Sequence, residues 1–409
     1  MRDDTFSARN RTADIWNDDD GAEAASRTEA ASHRRHSALR GFAVFFLTLT
    51  AVLAVVVFAA YRDGTGFDVL RRYFNYGAAE SAGGTVVYDY DVSSANRFAV
   101  LGENLAVLSE TSFSVLDAQG GQVWSTGVKM ACPALQSGGG RAVGYDVGGT
   151  ELYIVDEKGA VMTLTLSESE PIISARLNEK GWLAVTTGKK NSKGWVGVYN
   201  DRNTLVFEFK SSRRFVADAY VTDDCARLAA VTLGQENSTF VSNIVLYNLT
   251  EDQPFADYDI TDGLVAAIGQ DGQTLITVSD TCLTFASTDG KIVAEHPYGG
   301  AYLREYALGG SGFTALLLNR YSSGSVGRLV TVGDEGDVLG TLDINEEVLN
   351  LSAAGRYLAV LYASRLVIYN ENLQVYAALN GTDYARTVLM RPDGSALLAG
   401  SESAELFLP

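Results

Sequence analysis

The residues that could support catalysis are few and scattered. Histidine occurs only at His33, His36 and His296, and a Ser-His-Asp or Cys-His arrangement in the C-terminal region would have to use His296. Its context, AEHPYGG, is typical of a strand end followed by a turn. The cysteines Cys132, Cys225 and Cys282 lie far apart and in no metal-binding spacing. We therefore predict no catalytic residues and no metal site, and we interpret the three cysteines as small buried hydrophobic residues.

Adjacent carboxylates offer the other route to catalysis, as in glycoside hydrolysis. The pairs are Asp223/Asp224, Asp334/Glu335 and Glu346/Glu347. Neighbouring side chains in a loop point apart, and such pairs are expected in a chain with 50 acidic against 32 basic residues. We predict that these carboxylates lie on the surface, exposed to solvent. The net charge of −18 also excludes nucleic acid as a favoured partner, because an acidic surface repels phosphate backbones.

Basic and aromatic residues near predicted loops are better candidates for binding. In an acidic domain, such residues on one rim would make a recognition face. The candidates are Arg213, Arg214, Arg304, Arg320, Tyr321, Tyr384 and Arg386. The competing interpretation is that these arginines are scattered over the surface and share no function. Two long polar insertions, Gly188–Gly194 and Gly234–Ser242, are further candidates, and we predict that they lie on a common edge.

A short apolar motif, repeated eight times, predicts the elements that position these residues. The copies follow at intervals of 36 to 47 residues and are Leu105–Leu108, Arg141–Gly144, Leu183–Thr186, Leu228–Val231, Leu275–Val278, Ala315–Leu318, Leu358–Leu361 and Leu397–Gly400. This period, with several short strands in each unit, is typical of propeller blades. The sequence predicts an all-β, eight-bladed β-propeller over residues 85–409, with seven blades as the alternative.

The last unit lacks one strand, and this predicts how the ring closes. Residues 386–408 supply three strands, whereas Thr85–Tyr90 is a lone strand before the first full blade. Adding this strand to the last blade would leave no exposed edge. We therefore predict that the N-terminal strand completes the C-terminal blade.

A second repeated element is a turn before the outer strand of each blade. It reads LDAQGGQVW at Leu116–Trp124, YNDRNTLVF at Tyr199–Phe207 and YNENLQVYA at Tyr369–Ala377. The Asp or Asn fits an Asx turn, and glycine fits a left-handed position. A turn role explains these aspartates without a metal ion.

The first of these turns resembles the repeat of quinoprotein-like propellers, in which Asp, Gly and a closing Trp recur. That resemblance implies a quinone cofactor, but only Trp124 occupies the Trp position here, so we expect no cofactor. The whole layout also resembles an uncharacterised family of membrane-anchored propeller proteins from Firmicutes. That resemblance implies no activity.

Phe42–Ala60 is an apolar run of 19 residues without charge, long enough for a transmembrane helix. A cleaved signal peptide is the alternative, although its apolar region would be shorter. Basic residues before the run favour an N-terminus inside and a propeller outside the cell membrane. We predict a disordered cytoplasmic tail over residues 1–40, a span over 41–61, and a neck over 62–84 whose segment Phe67–Gly77 has helical periodicity.

Taken together, these features favour a binding or scaffolding module for an envelope protein or a wall polymer, displayed outside the membrane and without catalysis. A degenerate quinoprotein-like or glycan-active enzyme is the second hypothesis. A sensor that signals through the span is the third.

Overall fold

The computed structural model describes residues 44–55, 68, 72, 86–236, 239–260 and 263–409. The chain divides into two compact units, Met1–Arg71 and Arg72–Pro409. In the first unit residues 44–55 are helical, and they lie within the predicted span Phe42–Ala60, whose remaining residues are outside the described part. Of all the described residues, no helix is both long and apolar enough to cross a bilayer. The predicted tail over residues 1–40 and most of the predicted neck also fall outside the described residues.

The second unit is built from strands. The first sixteen are β1 (Val87–Asp89), β2 (Arg97–Leu101), β3 (Asn104–Leu108), β4 (Ser112–Leu116), β5 (Gln122–Gly127), β6 (Pro133–Gly138), β7 (Arg141–Asp146), β8 (Glu151–Asp156), β9 (Gly159–Thr165), β10 (Ile172–Leu177), β11 (Leu183–Thr187), β12 (Gly194–Tyr199), β13 (Leu205–Ser211), β14 (Phe215–Val221), β15 (Arg227–Glu236) and β16 (Thr239–Asn248). The next sixteen are β17 (Pro254–Ile260), β18 (Val265–Asp271), β19 (Thr274–Ser279), β20 (Cys282–Ser287), β21 (Ile292–Pro297), β22 (Tyr302–Ala307), β23 (Phe313–Asn319), β24 (Gly327–Gly333), β25 (Val338–Ile344), β26 (Val348–Ala354), β27 (Tyr357–Tyr362), β28 (Arg365–Asn370), β29 (Val375–Asn380), β30 (Thr387–Met390), β31 (Ala396–Ala399) and β32 (Ser403–Phe407).

These strands form eight four-stranded antiparallel sheets, which confirms the prediction of eight blades. Blades 1 to 7 each take four consecutive strands, from β2–β5 to β26–β29. The repeated apolar motif is the second strand of each blade, and in β11 and β27 every residue is buried. This strand lies inside its sheet with blades on both sides, so it lacks the polar alternation of a half-exposed strand. The outer strands β5 and β21 do alternate between exposed and half-buried residues.

The N-terminal strand closes the ring, as predicted. Blade 8 has the order β1-β32-β31-β30, and Tyr88 pairs with Ala404 in an antiparallel register. The Tyr88 side chain is completely buried in a cluster with Leu105 of blade 1 and Leu397 of blade 8. The side chain of Arg391 donates a hydrogen bond to the Glu103 carbonyl oxygen at 2.9 Å and joins the same two blades. The described strands thus form a ring whose ends are held by both pairing and packing.

The repeated turn has the predicted Asx geometry. The Asp117 carboxylate accepts hydrogen bonds from the backbone N–H groups of Gln119 and Gly121 at 2.9 and 2.8 Å. Gly120 has a φ of 83°, and a Cβ there would lie 2.3 Å from the Val87 carbonyl oxygen of β1. Glycine is therefore required both for the left-handed turn and for the close approach of the closing strand.

Candidate functional site

Antiparallel order assigns every loop to one of two faces of the ring. Connections between blades, and those between second and third strands, lie on one face, which we call the linker face. The opposite face carries the remaining hairpin loops, the start of β1 and the end of β32, and we call it the closure face. Arg72 contacts residues of the closure face: it donates a hydrogen bond to the Tyr376 hydroxyl at 3.1 Å and approaches Gly394.

All seven binding candidates from the sequence lie on the linker face, in three separate groups. Arg213 and Arg214 precede β14, Tyr384 and Arg386 precede β30, and the third group belongs to blade 6. Six of the seven side chains are exposed, and Arg214 is half-buried. The seven candidates thus share one face of the ring but do not form a single cluster.

In blade 6 the candidates border two open grooves. Arg304 lines a groove of 480 Å³ together with the loop Ser322–Ser325 and the acids Glu346 and Glu347. Arg320 lines a second groove, of 840 Å³, on the other side of the same loop. The Arg320 guanidinium lies 5.7 Å from the centre of the Tyr321 ring, and this ring is 58% exposed.

A β-bulge explains why Arg304 reaches its groove. Leu303 pairs with Leu318 and Glu305 pairs with Leu317, so Arg304 is an extra residue in β22. A bulge re-aims its side chain away from the regular pleat. The inner strands of blades 3, 4, 5 and 7 have the same register shift, and their extra residues are Ile173, Ala217, Ala266 and Leu349. Among these five positions only blade 6 has a charged residue.

The candidates outside blade 6 form polar contacts with neighbouring residues. The Tyr384 hydroxyl donates a hydrogen bond to the Glu405 carboxylate at 3.0 Å, and the Arg386 guanidinium donates to the Asp383 carbonyl oxygen at 2.8 Å. Arg214 lies 3.9 Å from the Asp259 carboxylate, and both Arg213 and Arg214 line a third groove, of 440 Å³.

The two insertions lie on the same face, as predicted. Gly188–Gly194 joins β11 to β12, and residues 234–242 form the end of the hairpin β15–β16. The second insertion is not an irregular loop. Its strands are ten residues each, against four to seven in the second strands of the other blades, so pairing continues towards the tip.

The centre of the ring contains an ion pair that sequence reasoning missed. Arg176 of β10 donates a hydrogen bond to the Asp218 carboxylate of β14 at 2.5 Å. Burial of the guanidinium disfavours its charge, but Asp218, with Tyr306 and Tyr145, outweighs this and raises the pKa of Arg176. Because these residues come from blades 2, 3, 4 and 6, side chains from four blades interact near the axis. Burial also raises the pKa of Glu305 on β22, with a partly offsetting effect of Arg304.

Of the adjacent acids that the sequence offered for catalysis, Asp223 and Asp224 accept hydrogen bonds that hold their loop. The Asp223 carboxylate accepts hydrogen bonds from the Tyr220 hydroxyl at 2.9 Å and the Glu179 N–H at 3.2 Å, whereas Asp224 accepts from Thr222 and Ala226. Glu346 forms an ion pair with Arg365. Burial raises the pKa of Asp334, and Asp271 and Asp337 raise it further.

Burial shifts the pKa values of two thiols and of the one described histidine. Burial raises the pKa of Cys225 and Cys282, which favours the thiol over the nucleophilic thiolate. His296 lines the 840 Å³ groove, and burial lowers its pKa, which favours the neutral imidazole. Cys132, Cys225 and Cys282 are free, and the prediction that all three are buried is wrong: Cys132, in the connection before β6, is exposed, and the other two are half-buried. Within the described ranges, no group of three or more His, Cys, Asp or Glu residues is placed to hold a metal ion.

Residues 80–381 match a family of unknown function, DUF5711, and the chain belongs to this family. No curated protein has a sequence that matches the chain significantly. Among solved structures, a computationally designed protein, Ika8, is similar with a TM-score of 0.60 at 11% identity, covering 80% of this chain and 100% of that one.

Two natural propellers are also similar. The C-terminal WD40 domain of Sif2 has a TM-score of 0.56 at 14% identity, covering 80% of this chain and 98% of that one. BamB from Moraxella catarrhalis has a TM-score of 0.50 at 13% identity, covering 78% and 97%. At these identities the likeness concerns the fold: an eight-bladed β-propeller that resembles WD40 and BamB structures.

Proposed function

We propose that this protein is a membrane-anchored, extracytoplasmic binding module that holds a protein partner on its linker face and performs no catalysis. The observation that carries the proposal is the shared placement of all seven basic and aromatic candidates, and of the two grooves that border blade 6, on the face opposite the start of β1. A closed ring is a rigid scaffold, and loops on rigid scaffolds are favoured positions for binding. The resemblance to WD40 and BamB propellers supports the same class of function.

The anchor in this proposal is Phe42–Ala60. Its 19 residues without charge match the thickness of a bilayer core, and arginines precede it closely. A protein partner is favoured over a polysaccharide because the linker face combines arginine side chains with exposed tyrosine, a composition enriched at protein interfaces.

The side of the membrane is tested with the chain's own cysteine. Cys132 is exposed and precedes β6 on the linker face, whereas Cys225 and Cys282 are less accessible. A membrane-impermeant maleimide applied to intact cells is expected to label the full-length protein, and Cys132→Ser is expected to remove most of that label. Labelling that appears only after the cells are lysed would overturn the extracytoplasmic placement.

Binding is tested by chemical crosslinking on intact cells, followed by purification of the full-length protein and mass spectrometry. We expect one protein to be crosslinked reproducibly, with a lower yield from the double variant Arg320→Ala/Tyr321→Ala. The matched control is Lys158→Ala, which changes an exposed basic residue on the closure face. The absence of any specific adduct would count against a binding module.

A further inference from the structure

Three segments of the linker face meet at the junction of blades 3 and 4. The Lys193 N–H donates a hydrogen bond to the Ser211 carbonyl oxygen at 2.7 Å, and the Val216 N–H donates to the Lys193 carbonyl oxygen at 3.2 Å. A Cβ at Gly234 would lie 3.1 Å from Cγ of Arg214. We call the surface formed by residues 188–194, 209–215 and 232–234 the blade 3–4 surface.

This surface is basic, although the chain as a whole is strongly acidic. It carries Lys189, Lys190, Lys193, Lys210, Arg213 and Arg214, six of the 22 basic residues after Glu80. Two of them have acidic partners: Lys189 lies 2.5 Å from Glu170, and Arg214 lies near Asp259. The other four form no ion pair with an acidic residue in the described part of the chain, and all four are exposed. An excess of positive charge on an acidic protein favours an acidic partner here.

The surface also offers apolar contacts beside its charges. Phe215 is 56% exposed, and the Lys193 ammonium lies 4.2 Å from the centre of its ring. The 440 Å³ groove is lined by Phe209 and Tyr247, whose rings stack with centres 4.7 Å apart. The groove thus has an aromatic wall, which it shares with polar residues that include Asn243 and Asp257, and basic side chains lie beside it.

We infer that the blade 3–4 surface binds an acidic peptide segment of the partner protein, with apolar side chains between its carboxylates. The carboxylates would pair with the four exposed basic residues, while an apolar side chain would enter the groove against Phe209 and Tyr247. A polymer of acidic sugars or of glycerol phosphates provides the negative charge but no apolar side chains. This inference rests on the proposed function and adds the chemistry of the partner.

The test measures binding of a fluorescent peptide that alternates glutamate with leucine and phenylalanine to the full-length protein, by anisotropy at low salt. The double variant Lys193→Glu/Arg213→Glu replaces two attractions with two repulsions and is expected to weaken binding about tenfold. The control Lys129→Glu/Lys291→Glu makes the same change of charge at exposed positions elsewhere, with an expected change below about twofold. Equal unfolding midpoints of the two variants will show that neither effect comes from misfolding.

Two further probes separate charge from apolar contact. A peptide with glutamine in place of glutamate, and wild-type protein with poly(glycerol phosphate), are each expected to bind at least about tenfold more weakly than the acidic peptide. Phe215→Ser is expected to weaken the acidic peptide but not the polymer. Tighter binding of the polymer, or equal losses in both double variants, would overturn the inference.

Failure here is distinct from failure of the proposed function. If crosslinking on cells yields a specific partner while Lys193→Glu/Arg213→Glu leaves both that yield and peptide binding unchanged, the linker face binds protein elsewhere and only the acidic-peptide inference is wrong. If no partner is crosslinked, the proposed function itself is contradicted.

Discussion

Closure of the ring by β1 is tested by replacing Tyr88 with alanine. The Tyr88 side chain is fully buried between blades 8 and 1, and its hydroxyl lies 3.4 Å from the Ala118 carbonyl oxygen. A tyrosine ring of roughly 150–200 Å² at about 25 cal/mol per Å² contributes about 4–5 kcal/mol. Alanine retains the Cβ, so we expect Tyr88→Ala to lower the free energy of unfolding by about 4 kcal/mol. Tyr88→Phe keeps the ring and is expected to lower the free energy of unfolding by about 1 kcal/mol, because the hydroxyl loses its contacts with the Ala118 carbonyl oxygen and the Arg391 side chain.

The assay is urea unfolding of the full-length protein, followed by tryptophan fluorescence. Tyr321→Ala is the matched control, since this ring is 58% exposed on the linker face and its removal is expected to cost less than about 0.5 kcal/mol. A loss below about 1 kcal/mol for Tyr88→Ala, or a loss no larger than that of Tyr321→Ala, would refute closure by β1.

Three further predictions concern the turn at the closure, the ion pair at the ring centre and the pH dependence of stability. Gly120→Ala is expected to lower the free energy of urea unfolding by about 2 kcal/mol more than Gly140→Ala does. Both glycines have positive φ, but only at position 120 would a Cβ lie against a backbone oxygen of β1. Equal losses in the two variants would contradict this contact. Asp218→Asn is expected to lower the free energy of unfolding by about 2 kcal/mol, since it leaves the Arg176 charge without its carboxylate partner in a half-buried site. The double variant Arg176→Met/Asp218→Leu is expected to recover most of this stability. Additive losses of stability in the double variant would argue against coupling of the two residues. Because burial raises the pKa of Glu305 in the folded state, its contribution to stability is lost as pH rises from the ordinary carboxyl pKa of 4.5 through the folded value. Glu305→Gln should therefore stabilise the protein relative to wild type more at pH 7 than at pH 4, and an unchanged difference between these pH values would contradict the burial.

Most strands and turns of the ring could be predicted from the sequence, because each depends on residues close together in the chain and the pattern recurs from blade to blade. The second strand of each blade is buried on both sides, so it appears as an uninterrupted apolar run such as LAVL at Leu105–Leu108. The Asx turns depend on residues within five positions of one another, as at Asp117. Closure followed from counting strands, because the last blade lacked one and Thr85–Tyr90 had no partner nearby.

The contacts at the candidate site depend on distant residues, and the sequence pattern does not contain them. Arg176 and Asp218 lie 42 positions apart on the inner strands of neighbouring blades, and nothing local marks either as a member of a pair. The bulge that directs Arg304 into its groove is visible only as a register shift. Lysines spread between residues 189 and 210 become one surface because Lys193 is hydrogen-bonded to both Ser211 and Val216. The order of the strands places the seven candidates on one face of the ring, but in three separate groups.

The central claim, that the linker face holds the partner, is tested most directly by photo-crosslinking from single positions of the full-length protein in its native cells. A photoreactive side chain at position 321 is on the linker face, and one at position 291 is exposed on the closure face. We predict a specific protein adduct from position 321 and none above background from position 291. An adduct from position 291 with equal or greater yield, or no adduct from position 321 or 213, would contradict the account.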